Sequence, residues 1–334
     1  MFSNTFARTF ACAAIAFVPA AAHADHAGPT GGPSAGGGIN TVSASTLDEG
    51  HWAAGVRIAL TNPVVLADAE LVRRELAGID AHAARRVINA SLGIAYGVTH
   101  DLSLSAELPY VSRDAIRASD NGAVINRGTS AGFGDLTLLA KYRPVHSKGW
   151  ELALIGGIKA PSGNTAKRDS NGDRFETEHQ PGTGSWDPIA GFATSHATGA
   201  NRIDASLLYQ FAAQGAQSTR LGDRAQAGVS LSHRFGAGEP VDHAHADHDE
   251  TDHHHTTIDA VIELLGEWEG KEAVGGLSDA YTGGSSVWIA PGARFNFEGG
   301  WSVAGSLGVP IYQRIRASHP DNSYRVSVSV GRAF

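Results

Sequence analysis

The chain has 334 residues, with 34 Asp or Glu against 26 Lys or Arg, so its formal net charge of -8 and lack of a basic cluster exclude nucleic acid as a partner. Its one cysteine, Cys12, lies in the N-terminal apolar run, which leaves the rest without a disulfide, a cysteine nucleophile or a thiolate metal site. No later stretch reaches the roughly 20 apolar residues of a membrane-spanning helix, and 41 glycines with one Met suit turns and strands rather than helices.

At the N-terminus Arg8 precedes an apolar run from Phe10 to Ala22, and Ala22-His23-Ala24 has the small-x-small form of a signal-peptidase site. This predicts a signal peptide over 1–24 and a mature chain beginning at Asp25. Pro19 and the shortness of the run argue against a membrane anchor. Residues 25–50 form a Gly-rich leader whose composition suits either a plug folded inside a lumen or a disordered periplasmic tail.

From Trp52 onward apolar residues recur at every second position, the period of a strand. The pattern predicts strands near 51–60, 86–98, 101–111, 132–143, 150–160, 187–196, 202–212, 225–235, 257–268, 285–297, 300–310 and 322–334. In the last of these, Tyr324, Val326, Val328 and Val330 alternate with Arg325, Ser327, Ser329 and Gly331. Alternation alone does not separate a water-soluble sandwich from a membrane barrel, since either has one apolar face.

The connections decide between them. Long segments (61–85, 112–131, 161–186, 213–224, 269–284) alternate with mostly short ones (99–100, 144–149, 197–201, 298–299), as outer loops and periplasmic turns do in outer-membrane barrels. Trp52, Tyr110, Tyr142, Trp150, Trp268, Trp288, Phe297 and Trp301 fall near strand ends, where a girdle at the lipid interface is expected. The predicted fold is all-β: a transmembrane, antiparallel, up-and-down β-barrel of about 12 strands over residues 51–334, in the outer membrane of a Gram-negative bacterium and in contact with its lipid. The polar face of the strands then lines the lumen. It carries Glu107, Asp135, Lys141, Arg143, Glu151, Lys159, Asp204, Arg234, Asp259, Glu263, Glu267, Arg294 and Arg325, a mixture of signs that either sets a transverse field or pairs and fills the interior. Twelve strands enclose less space than a 16- to 18-stranded porin, which favours a partly plugged lumen.

Three connections carry further signals. Leu66, Ala69, Val72, Leu76 and Ile79 have helical spacing, so the first outer loop is expected to hold a short amphipathic helix, as a lid or as a shield for strand ends. Asp169-Ser-Asn171-Gly-Asp173 places oxygen ligands at alternate positions but lacks the glycine and glutamate spacing of a calcium loop, and reads as a polar surface loop. Between Glu239 and His255 lie six His and six acidic residues. His243, His245, His248, His253, His254, His255, Asp247 and Asp249 are candidate ligands for Zn, Cu or Ni, against the alternative of a merely solvated loop. Asp25-His26 is a weaker candidate pair. With both termini periplasmic, the connection between the eighth and ninth strands is a periplasmic insertion, 236–256, suited to holding metal ions or docking a periplasmic partner. No cofactor is required. Ser232-His233, the nearest approach to a nucleophile and base, point to opposite faces of a strand, so no enzyme activity is expected.

Gly132-Phe-Gly-Asp-Leu-Thr-Leu-Leu-Ala-Lys-Tyr-Arg143, Gly157-Ile-Lys-Ala-Pro-Ser-Gly163 and Pro181-Gly-Thr-Gly-Ser-Trp-Asp-Pro188 resemble the recurring segments of the "putative MetA-pathway of phenol degradation" family, and Tyr324 to Phe334 resembles the assembly signal of outer-membrane barrels. The resemblance covers most of 51–334 and implies an outer-membrane barrel for passive uptake of small hydrophobic or aromatic solutes, with no established site residues. Three functions follow in order: a channel or transporter for such solutes, a metal-handling protein acting through 243–255, and a structural or adhesive barrel.

Overall fold

A computed structural model describes residues 37–236 and 256–334. Twelve strands alternate direction around a closed barrel: β1 (Trp52–Pro63), β2 (Arg86–Thr99), β3 (Leu102–Asp120), β4 (Leu136–Ser147), β5 (Trp150–Ala160), β6 (Asp187–Thr198), β7 (Asn201–Gln210), β8 (Arg224–Phe235), β9 (Thr257–Glu269), β10 (Gly284–Asn296), β11 (Trp301–Ile315) and β12 (Asn322–Ala333). Each pairs antiparallel with its neighbours in sequence, and β1 pairs with β12 from Ala53↔Ala333 to Thr61↔Arg325. Closure leaves no strand edge without a partner, the condition for crossing lipid.

Burial in this barrel is inverted relative to a water-soluble protein. Val56, Leu92, Leu154 and Leu231 point outward, each about half exposed, whereas Asp204 and Glu263 are 0% and 1% exposed. Such an apolar exterior is stable against hydrocarbon and would be an aggregation surface in water. All twelve strands predicted from alternation are present, and the protein is an outer-membrane barrel.

Both termini of the barrel, Trp52 and Phe334, bond to each other through their backbones, and the tight turns after β2, β4 and β6 share that rim, which is therefore the periplasmic one. Trp52 packs on Tyr96 there and Trp150 stacks on His196. At the outer rim Tyr110 meets Phe133 and Tyr209 meets Trp268. Trp288 departs from the expected girdle: it is 1% exposed and faces the lumen. Its parity along β10 is that of Ala290, Gly292 and Arg294, so the same alternation that defines the strand directs the ring inward.

The outer loops hold more structure than expected. The segment 112–131 is not an irregular loop. β3 runs on to Asp120, turns through Asn121 and Gly122, both at positive φ, and returns as Ala123–Phe133. In the first outer loop α1 (Asp68–Leu76) forms where a helix was expected, but its buried residue is Leu71, packed with Ala81, Ala83, Leu66, Ile79 and Val124. Leu76, expected on the apolar face, is 80% exposed.

Candidate functional site

Residues 37–48, within the described part of the leader (37–50), lie inside the barrel and contact strands around its circumference. Glu263 on β9 accepts from the backbone N–H groups of Asn40 (2.9 Å) and Thr41 (2.8 Å), while Ser195 on β6 accepts from Ala44 N and Ser103 on β3 from Leu47 N. Arg294 on β10 donates to the carbonyls of Gly37 (2.8 Å) and Gly38 (2.7 Å), Lys141 on β4 to those of Ser43 and Ser45, and Arg57 on β1 to the Asn40 side chain. These side chains replace the ladder that a strip outside any sheet lacks, as burial of its backbone requires. Inward glycines make room for it. A Cβ on Gly97 would collide with the Asp48 carbonyl, one on Gly228 would lie 2.7 Å from Thr41 Oγ1, and one on Gly292 would lie 2.6 Å from Ile39 Cδ1.

The wall that the leader covers is partly apolar. Leu139, Ala153, Ile155, Ile189, Ala193 and Leu208 face inward from β4 to β7 and form one cluster with Val42 and Ala44 of the leader. Elsewhere the lumen is charged, and its charges are paired. Arg143 and Arg202 meet Glu151 (2.6 and 3.4 Å), Arg202 and Ser195 meet Asp204 (2.9 and 2.5 Å), and Arg234 meets Asp259 (2.7 Å). Arg325 pairs with Glu267 at 2.5 Å and lies 4.5 Å from the centre of the Trp288 ring, whose Nε1 also donates to Glu267. A cavity of about 710 Å³ remains on the periplasmic side, bordered by the leader, Arg57, Glu107, Arg202, Arg234, Asp259 and Arg294.

Toward the outside the loop 161–186 closes the mouth. Lys159 lies 2.9 Å from both Asp135 and Asp187 and donates to Thr183 Oγ1; Asp135 in turn accepts from the backbone N–H groups of Gly163 (2.9 Å) and Thr183 (2.8 Å). Gly163 and Gly182 pass so closely that a Cβ on either would overlap the other's backbone. Buried Arg113 donates to the carbonyls of His179 and Gln180, and the Gln180 side chain bonds Lys167 and Phe175 within the loop. At this mouth, burial and then His82, His319, Arg113 and Arg127 hold the His179 imidazole well below its usual range. Burial, with Glu269, Glu176 and Asp279 nearby, pushes the Glu272 carboxyl up to about 7.

Each residue expected to line the lumen faces inward or lies at a mouth, but they form separate groups rather than one ring. Asp135 and Lys159 fasten the outer loop; Lys141, Glu263 and Arg294 grip the leader; Arg143, Glu151 and Asp204 pair near the periplasmic rim; Arg234 reaches the periplasmic opening; Arg325 lies against Trp288; Glu107 borders the cavity. The apolar inward cluster was missed, although parity marks it: Leu139 shares a face with Lys141, and Ile155 with Lys159. Asp169 spends Oδ1 on the N–H groups of Asn171 and Asp173, closing a tight turn. Ser232 is buried and bonds the Arg202 carbonyl, whereas exposed His233 meets Asn201. The signal peptide, Asp25-His26 and the tract with His243, His245, Asp247, His248, Asp249, His253, His254 and His255 lie outside the described residues.

Residues 84–255 match the model of the family described as "Putative MetA-pathway of phenol degradation". The chain belongs to this family. All three segments that carry the family resemblance fall within the match and meet at Asp135, Lys159, Gly163, Thr183 and Asp187, where they build the closure of the outer mouth. Among solved structures, the COG4313 outer membrane channel from Pseudomonas putida F1 is similar in fold, with a TM-score of 0.59 at 17% identity over 89% of this chain and 100% of that one. The KdgM porin matches with a TM-score of 0.40 at 8% identity over 84% and 99%, and the NanC porin with 0.41 at 10% over 84% and 98%. None of the curated proteins matches the chain.

Proposed function

We propose that the protein is a channel for passive passage of small hydrophobic or aromatic solutes, exported by residues 1–24 as a signal peptide and plugged by residues 37–48. The observation that carries this reading is the inward apolar wall of Leu139, Ala153, Ile155, Ile189, Ala193 and Leu208, against which Val42 and Ala44 of the leader pack. A barrel that merely anchored its loops would gain nothing from an apolar strip on its watery face, whereas a solute path would use it once the leader withdraws. The barrel wall closes through β1 and β12 independently of the leader, so withdrawal leaves it intact. The family's description refers to phenol degradation, and the similar Pseudomonas putida structure is named a channel; both agree with this reading. It involves no catalytic step: Ser232 and His233 lie on opposite faces of β8.

Planar-bilayer recordings and liposome uptake of phenol-sized solutes test it. Discrete openings are expected, more frequent in a Glu263→Ala variant that loosens the leader, and Ile155→Asn should reduce aromatic uptake several-fold while leaving conductance. Absence of both openings and uptake in wild type and in Glu263→Ala would sink the reading.

A second reading concerns the histidine tract. We infer that His243, His245, Asp247, His248, Asp249, His253, His254 and His255 bind Zn, Cu or Ni at the periplasmic mouth, in support of which the flanking ends of β8 and β9 share the rim of Trp52 and Phe334. Identical calorimetric isotherms with and without residues 241–256 would remove it.

A further inference from the structure

Three outer loops, far apart in sequence, bring a set of metal-ligand side chains to one point. His82 comes from the loop after β1, Glu176, Glu178 and His179 from the loop that closes the mouth, and His319 from the loop before β12. One donor atom from each of His82, Glu176, Glu178 and His179 lies within 4.8 Å of all the others. His82 and His179 are each 2% exposed, and their rings meet edge to face at 4.7 Å.

The histidines lack the bonds that such burial demands. Among the described residues, neither ring nitrogen of His179 has a hydrogen-bond partner, and neither does His82 Nδ1. Two of those nitrogens lie near carboxylates: His179 Nε2 is 3.4 Å from Glu178 Oε1, and His82 Nδ1 is 3.6 Å from Glu176 Oε2 and 3.7 Å from Glu178 Oε1. His319 Nε2 approaches the same Glu178 oxygen at 3.6 Å.

Those separations are longer than the roughly 2.7–2.9 Å of a charge-assisted hydrogen bond. They do suit a coordination shell. With metal–nitrogen and metal–oxygen bonds of about 2.0–2.2 Å, two ligand atoms of a tetrahedron stand about 3.3–3.6 Å apart. Asp80 lies 3.7 Å from His82 Nε2, the nitrogen turned away from the cluster, and Arg127 lies 3.3 Å from Glu176 Oε1, leaving Oε2 for the centre.

We propose that His82, Glu176, Glu178 and His179 form a binding site for a divalent ion of the zinc class, with His319 as an adjacent fifth donor, which clasps three outer loops across the mouth. Two imidazoles and two carboxylates select Zn2+ and its neighbours over Ca2+ or Mg2+, which take oxygen ligands alone. The site lies at the rim opposite the ends of β8 and β9 that flank the histidine tract in sequence, and does not depend on the channel reading.

The test uses the full barrel with His243, His245, His248, His253, His254 and His255 changed to alanine, so that the tract contributes nothing. Titration with Co2+ should develop the visible absorption of tetrahedral cobalt with about one ion per chain, reversed by Zn2+. His179→Ala should abolish the signal while the barrel keeps its heat-modifiable mobility. Glu178→Gln, nearly isosteric, does the same duty where His179→Ala does not fold. A tract-free barrel that binds no Co2+ stoichiometrically, or binding that survives both substitutions, would overturn the proposal.

Discussion

The Lys159 ammonium lies 2.9 Å from the Asp135 carboxylate, and both are buried where β4 and β5 reach the outer rim. Asp135 also bonds the backbone at both ends of the mouth loop, at Gly163 and at Thr183. One ion pair thus fastens the loop that closes the barrel to the wall it covers.

Lys159→Met should release that loop. It leaves Asp135 and Asp187 buried without their cation, and breaking a buried pair on one side costs about 3–5 kcal/mol. Part of that loss will be recovered by loop opening. The expected outcome is a lower urea midpoint, together with faster proteolysis within 161–186 than in wild type.

Gly228→Val should expel the leader. The new side chain occupies the space of Thr41, and the leader is the element outside the ladder that can yield. Because Cys12 is the only cysteine, a Val42→Cys probe reports on this alone once the first 24 residues are absent. Maleimide labelling should be slow in the parent, where Val42 is 6% exposed, and fast when Gly228→Val is added. Unchanged labelling would show that the leader stays in place.

Glu263→Gln tests the same element without adding bulk. The carboxylate accepts from Asn40 and Thr41, and hydrogen bonds to a charged group contribute about 1.5–3 kcal/mol. Channel open probability should rise about tenfold or more, with the barrel's melting temperature nearly constant. A fall in melting temperature without a change in gating would mean that Glu263 supports the wall instead.

Leu264→Arg should destabilise the barrel through lipid. Leu264 is next to Glu263 on β9 but points outward, 46% exposed. An arginine near the bilayer midplane costs about 2–4 kcal/mol, less toward the interfaces. Folding yield into vesicles should drop for Leu264→Arg, and far less for Gln226→Arg on the lumen side of β8.

What the sequence revealed followed from how local each signal was. The twelve strands were legible because lipid on one face and water on the other impose a period of two that any segment displays by itself. β3 beyond Val111 was not, since Arg113, Asp114 and Arg117 interrupt the apolar pattern and register shifts around Ile116 break its period of two, although Ile116 and Ala118 are buried. α1 was found by spacing yet assigned the wrong face, because Leu71 rather than Leu76 meets Val124, a residue of the unforeseen hairpin. Trp288 was placed by its nearness to a strand end when its parity with Arg294 already pointed inward. The leader's choice between lumen and periplasm was not legible: Gly, Ser and Thr suit both, and the deciding groups, Glu263, Arg294 and Lys141, come from three strands distant in sequence. The meeting of His82, Glu178 and His319 depends likewise on three loops that adjoin only after closure.

The leader approaches the Arg294 end of β10 at Gly37, reaches inward to Glu263 at Asn40 and Thr41, and returns to the rim beside Gly97 at Asp48. Within the described residues it is a bight of chain whose two ends, Gly37 and Asp48, lie toward the same opening. A bight held by side chains rather than by a strand ladder can slide out and back while β1 stays paired with β12, so opening and resealing would be reversible within a single folded molecule.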